Sequence, residues 1–183
     1  MTNHMLDNYV ILDFEASSQW IESWPIEVGV TWFEQSKPNT WSSLIKPAHH
    51  WNKQDFDVFH SATHRLSVKD LRDAPEATQI ALTLIPHIAG RTVVSDQPDY
   101  IQHWLAKLFE TVNLAHTKPV TSFEEASKGI FSDEGLRIID ETLTGQAGPR
   151  RAGPDSARLA SGWEAALREE NKRSTLGDSP PNP

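Results

Sequence analysis

Tyr9 to Ser18, YVILDFEASS, sets four β-forming residues directly before Asp13 and Glu15. Alternate residues of a strand share a face, so the two carboxylates would emerge side by side at the carboxyl end of a buried strand. Acids so close repel one another, and burial raises the pKa of at least one unless a cation compensates. A hard divalent ion such as Mg²⁺ or Mn²⁺ is the natural compensator, because it takes carboxylate oxygens and leaves its other positions to water and phosphate. Two solvated acids at a strand end would have the same spacing. The rest of the chain must decide between them.

A length of 183 residues favours one domain with a substantial core, and 38% hydrophobic with 23% charged residues is ordinary for a globular protein. There is no cysteine, which excludes disulfides and thiolate metal sites and leaves oxygen or imidazole as metal ligands. The segment MTNHMLDNY has no basic run leading into an apolar one, and no stretch approaches about 18 apolar residues. The expectation is a cytoplasmic protein without a signal peptide or membrane partner. A net charge of -8 argues against a protein that coats nucleic acid through a generally basic surface. It leaves room for an enzyme that meets a strand end at a cation-bridged site.

Working outward from the first strand, WPIEVGVTWFE alternates Ile26, Val28, Val30 and Trp32 with Glu27, Gly29, Thr31 and Phe33, which predicts a second strand. Lys37 to Thr40, KPNT, reads as a turn, and WSSLIKP as a short third strand that ends at Pro47. The following AHHWNKQDFDVFHSATHRL lacks periodicity and reads as a loop with helical turns. From Pro75, Ala77, Ile80, Ala81, Leu84, Ile85 and Ile88 recur at helical spacing up to Gly90, with Pro86 fraying the last turn. RTVVSD reads as a short buried strand, and PDYIQHWLAKLFETV as a helix that turns Ile101, Trp104, Leu105, Leu108 and Val112 inward. SDEGLRIIDETL predicts a shorter helix. After the loop TGQAGPRRAGP, DSARLASGWEAALREE predicts a long one burying Leu159, Trp163, Ala166 and Leu167. The predicted fold is α/β: an antiparallel meander joined through a crossover helix to a parallel strand, flanked by helices, over residues 1–170. The Pro-rich residues 171–183 read as an unstructured tail.

Four segments taken together, VILDFEAS, PIEVGV, TVVSDQPDYIQHWL and RRAGPDSARLA, resemble the ordered motifs of the DEDD 3′–5′ exonucleases, the ribonuclease T and proofreading-subunit group. The resemblance runs from Tyr9 to Leu167. It implies a ribonuclease H-like fold, hydrolysis at the 3′ ends of single-stranded RNA or DNA, and two Mg²⁺ or Mn²⁺ ions held by Asp13, Glu15 and Asp155. Members of the group often pair as homodimers, so a homodimer is a partner arrangement that the resemblance allows, while the sequence does not fix the oligomeric state. Asp155 opens the last predicted helix and is an equally good helix cap.

Two positions depart from the family pattern. The middle motif expects an acid at the place of Ile101, which cannot ligate a metal. Asp96, at a strand end, can aim into the same crevice and stands in as a candidate metal ligand; it reads equally as an N-cap for the helix near Pro98. Asp99 lies about 200° around that helix from position 101 and points elsewhere. In the last motif, the histidine-bearing branch has its base where this chain has Arg150. A guanidinium cannot accept a proton from water, but it can hold a phosphate bidentately. Neither Tyr9 nor Tyr100 lies in the last motif, so the tyrosine-bearing branch is no closer. His103 and His116 are candidate replacement bases by sequence proximity only.

Glu27 matches a recurrent family position or pairs with a neighbouring side chain. His60 to His64 fall where relatives contact the substrate end, and His49 and His50 are too close for a helical metal pair. Trp20, Trp24 and Trp51 are candidates for base stacking or for packing. Intact Asp13, Glu15 and Asp155 favour an exonuclease. Ile101 and Arg150 favour the alternative, a catalytically degenerate relative that binds nucleotide ends or a protein partner.

Overall fold

The expected first strand forms as β1 (Tyr9–Ala16) and sits at the centre of the sheet. β2 (Pro25–Glu34) pairs antiparallel with it and β3 (Lys37–Leu44) antiparallel with β2, closing the meander. Then come α1 (Ser61–His64), α2 (Val68–Arg72), the crossover helix α3 (Ala77–Ile88), and β4 (Thr92–Ser95), which lies parallel to β1. α4 (Pro98–Glu110) leads to β5 (Val120–Ser122), parallel to β4. α5 (Phe123–Ile130), α6 (Asp133–Thr144) and α7 (Ala152–Gly177) complete the order. The sheet runs β3-β2-β1-β4-β5. The computed structural model describes residues 5–20, 22–57, 61–114, 118–146, 148 and 150–177. Among them no helix is long and apolar enough to cross a membrane.

Both faces of the sheet are covered. Val10, Leu12, Phe14, Val28 and Val30 pack with α3 and α4, while Ile11, Phe33 and Val94 pack with α5, α6 and α7. The second core centres on Trp163, fully buried, stacked on Phe123 at 5.2 Å and donating its indole N–H to Ser127 Oγ at 2.7 Å. Truncating a side chain so enclosed costs about 3–5 kcal/mol. Cover on both faces also corrects the expected alternation of β2, which is buried at nearly every position from Pro25 to Phe33.

Three further expectations are corrected. The hairpin turn lies at Gln35 and Ser36, with φ of 52° and 62°, and their N–H groups donate to the Asp7 carboxylate at 3.1 and 3.0 Å. The turn is therefore complete before Lys37, and the predicted KPNT turn is the first half of β3. β5 and α5 were not anticipated, although Ser122 followed by Glu125 is a helix-start signal; the Ser122 hydroxyl does accept from the Glu125 N–H. The expected tail is helical through Gly177, because Glu170 accepts from the backbone and hydroxyl of Ser132, and Arg173 pairs with Glu134 at 2.7 Å. Residues 178–183 lie outside the described residues.

One contact positions the site. In the antiparallel register Asp13 faces Gly29, and a Cβ on Gly29 would lie 2.1 Å from the backbone of Ala152. A Cβ on Gly153 would lie 2.7 Å from the Ser42 side chain. The start of α7 thus rests directly on β2 and β3. The Thr31 hydroxyl, hydrogen-bonded to Ser156 at 2.9 Å and Thr40 at 2.8 Å, fixes the next turn.

Candidate active site

The face of β1 that carries Ile11 continues to Asp13 and Glu15, and the register shifts between Glu15 and Ala16, where the strand leaves the pairing. With α7 seated on Gly29, Asp155 in its first turn comes to the same place. Carboxylate oxygens of Asp13, Glu15 and Asp155 lie within 4.8 Å of one another. The expectation that Asp155 opens and caps the last helix is corrected: α7 begins at Ala152, so Asp155 sits inside its first turn, where Oδ2 accepts from the Arg151 N–H at 3.1 Å and Oδ1 lies 3.4 Å from Arg158 Nε.

The cluster gathers carboxyls where burial and their neighbours penalise ionisation. Burial, then the charges of Glu15, Asp96 and Asp155, push the Asp13 carboxyl well above the usual range. Burial, then Glu27 and Asp155, push Glu15 up to about 7, with Arg151 and Arg150 pulling the other way. Three oxygen donors that repel one another in a half-buried recess suit a hard divalent cation.

The cluster forms one wall of a cleft of about 630 Å³ that also takes in Phe14, Thr63, Asp96, Ile101, Trp104, Arg150 and Arg158. A neighbouring hollow of about 410 Å³ shares Thr63, Gly148 and Arg150 with it and adds Arg65 and Arg151. Arginines therefore gather on one side of an acidic protein. Arg65 and Arg150 both hold left-handed backbone, with φ of 59° and 55°. Such strain in residues other than glycine is concentrated at functional sites.

Asp96 lies on the cleft wall but outside the cluster of three, with Oδ2 3.8 Å from Arg158. Burial raises its pKa, and the Arg158 charge opposes that rise. It does not cap α4: the N-cap is Gln97, which makes no side-chain cap bond, and the Gln97 N–H donates instead to Ser95 Oγ at 3.1 Å. Asp99 is exposed and away from the cleft. Ile101 is buried with Trp104 and Leu105, as its hydrophobic type dictates.

Glu27, only 3% exposed, accepts two bonds from the Arg151 guanidinium at 2.8 and 2.6 Å and a third from the Ala152 N–H at 3.2 Å. It clamps the start of α7. Trp24 and Trp51 stack on each other at 5.9 Å in the core, so packing accounts for both. Trp20 is 71% exposed beside Glu22, Asp55 and Asp57, surroundings that repel a phosphodiester. His64 is buried and its Nδ1 accepts from the Leu66 N–H; His49 and His50 are exposed and His103 lies off the cleft. His60 and His116 lie outside the described residues. Arg158 is the cleft residue that the sequence reading missed. Its i+3 spacing from Asp155 was the available signal.

A five-stranded mixed sheet with an acidic cluster at the end of its central strand, covered by a helix that delivers the last acid, defines a ribonuclease H-like domain. No protein-family model matches the chain, and no curated protein matches it in sequence. Solved structures do match. One is a 3′-exonuclease described in its 3′-end-specific recognition of a histone mRNA stem-loop, with a TM-score of 0.62 and 15% identity over 91% of this chain and 83% of that one. Another is the nuclease domain of 3′hExo, a DEDDh family member bound to rAMP, at 0.59 and 14% over 91% and 93%. A third, E. coli ExoI with single-stranded DNA, aligns at 0.61 and 8% over 92% of this chain and 41% of that one. The chain has the fold of the DEDD-type 3′–5′ exonucleases.

Proposed function

We propose that the protein is a metal-dependent 3′–5′ exonuclease acting on single-stranded 3′ ends of RNA or DNA. The observation that carries this reading is the convergence of Asp13, Glu15 and Asp155 within 4.8 Å at the end of β1, in this fold. These carboxylates would hold Mg²⁺ or Mn²⁺, which when bound supplies positive charge to the phosphate and makes water a better nucleophile. The water oxygen bonds to phosphorus, the bond to the 3′ oxygen of the preceding nucleotide breaks, and the water's proton ends on that oxygen. Arg150, on the rim shared by the cleft and the hollow, holds a phosphate, and Arg65 extends the path. Glu27 positions rather than reacts, since its oxygens are already taken by Arg151 and Ala152.

Among the described residues the cleft wall carries no histidine. That observation favours a second reading, in which the site binds nucleotide ends without hydrolysis. The hydrolytic reading needs the metal, which calorimetry tests directly. Wild-type protein titrated with Mn²⁺ should show saturable binding, and Asp13→Asn, Glu15→Gln and Asp155→Asn should each abolish its high-affinity phase. Unchanged affinity in all three variants would return Asp13 and Glu15 to ordinary strand-end acids.

A further inference from the structure

Arg158 follows Asp155 by three residues on α7, so the two side chains share a helix face. Its Nε lies 3.4 Å from Asp155 Oδ1 and its Nη2 3.8 Å from Asp96 Oδ2, and the side chain is only 17% exposed. A guanidinium keeps its positive charge at any working pH. The wall of the cleft thus has a permanent cation between one carboxylate of the cluster and one outside it. Ile101, 1% exposed, stands where the exonuclease resemblance places a further carboxylate. The two features act in the same sense: a second divalent ion would lack a ligand at position 101 and would face the fixed charge of Arg158.

We propose that the site takes one divalent ion, between Asp13, Glu15 and Asp155, and that the Arg158 guanidinium occupies the place of a second cation, offering its remaining N–H groups to phosphate oxygens. The proposal rests on the metal-dependent reading above and narrows it. Among the described residues Nη1 makes no hydrogen bond, and Arg158 lines the cleft, so a donor is available on that side. A planar guanidinium presents paired donors that match two phosphate oxygens, which a hydrated metal ion does not do.

The test counts ions and measures phosphate affinity without relying on turnover. Mn²⁺ binding is followed by calorimetry and by electron paramagnetic resonance in the wild type, Arg158→Gln, Arg158→Lys and Arg158→Gln with Ile101→Asp; circular dichroism verifies folding. The wild type should bind one Mn²⁺ per chain with an uncoupled spectrum, and the double variant two, with the spectrum of a spin-coupled pair. Arg158→Gln should keep the first ion yet bind adenosine monophosphate at least about tenfold more weakly, as loss of a charge-assisted bond requires, and Arg158→Lys should recover part of that affinity. Two ions in the wild type, or one in a folded double variant, would overturn the proposal and leave the metal reading intact. No ion in the wild type would remove both. If burying Asp at position 101 prevents folding, the monophosphate comparison decides alone, and equal affinity in wild type and Arg158→Gln overturns the role of the guanidinium.

Discussion

Gly29 lies directly beneath Ala152: a Cβ on the glycine would fall 2.1 Å from the helix backbone, closer than any atoms can pack. Because Gly29 is also the register partner of Asp13, the contact that seats α7 on the sheet delivers Asp155 to Asp13. Gly29→Ala must therefore lift the start of α7. The expected result is a loss of about 3 kcal/mol or more by urea denaturation, with a parallel loss of Mn²⁺ affinity. Wild-type affinity in a destabilised Gly29→Ala protein would show that the cluster does not depend on this contact.

Arg151→Met leaves the buried Glu27 with only the Ala152 N–H as partner. Stability should fall by about 2–3 kcal/mol, below the value for a fully enclosed pair because the arginine is partly exposed. The Glu27→Gln and Arg151→Met pair should be strongly non-additive in a double-mutant cycle, and simple additivity would contradict the clamp.

The meander, the parallel strand β4 and the acids of the site were legible in the sequence, for different reasons, whereas the edge strand β5 was not. β1 and β2 combine β-forming residues with a charge pattern that has no helical period; the period of two puts Asp13 and Glu15 on one face, and the family resemblance singles them out with Asp155 as candidate ligands. What was not legible depends on contacts distant in sequence. The turn at Gln35 and Ser36 is held by Asp7, and the helical residues beyond 170 by Ser132 and Glu134. Arg158 reads as an ordinary surface arginine until β4 brings Asp96 alongside it. Trp24 and Trp51 could not be assigned to core or cleft before their stacking on one another was seen.

The metal-stripped protein should lose stability as pH rises. Glu15 is raised from its ordinary value near 4.5 to about 7, so between those values the folded state binds more protons than the unfolded one. Its stability is greatest below that window and falls through it, by about 3 kcal/mol at most from Glu15. Thermal melts in chelator from pH 5 to 8 should shift downward, and saturating Mn²⁺ should oppose the shift, most strongly at the alkaline end. A melting temperature that rises over this range without metal would contradict the burial and mutual repulsion that raise Glu15.

Asp96→Asn separates the wall of the cleft from the cluster. Asp96 caps no helix, so stability should stay within about 0.5 kcal/mol. Mn²⁺ affinity should weaken severalfold, less than for Asp13→Asn, because Asp96 contributes charge from outside the group of three. Asp99→Asn should change neither quantity, and an equal loss in both variants would assign the effect to net charge alone.

The most direct measurement follows a 5′-labelled single-stranded oligonucleotide with the wild-type protein and Mn²⁺. Stepwise shortening from the 3′ end is predicted, abolished by chelator, by Asp13→Asn and by a blocked 3′ terminus. With no histidine on the cleft wall among the described residues to accept the water's proton, the rate should be slow by a factor of about 10² to 10⁴ and should climb through the alkaline range. Arg150→His should speed it. Folded, metal-bound protein that shortens neither RNA nor DNA above background at any pH, and remains inert with Arg150→His, would contradict the exonuclease account and leave a site that binds without cutting.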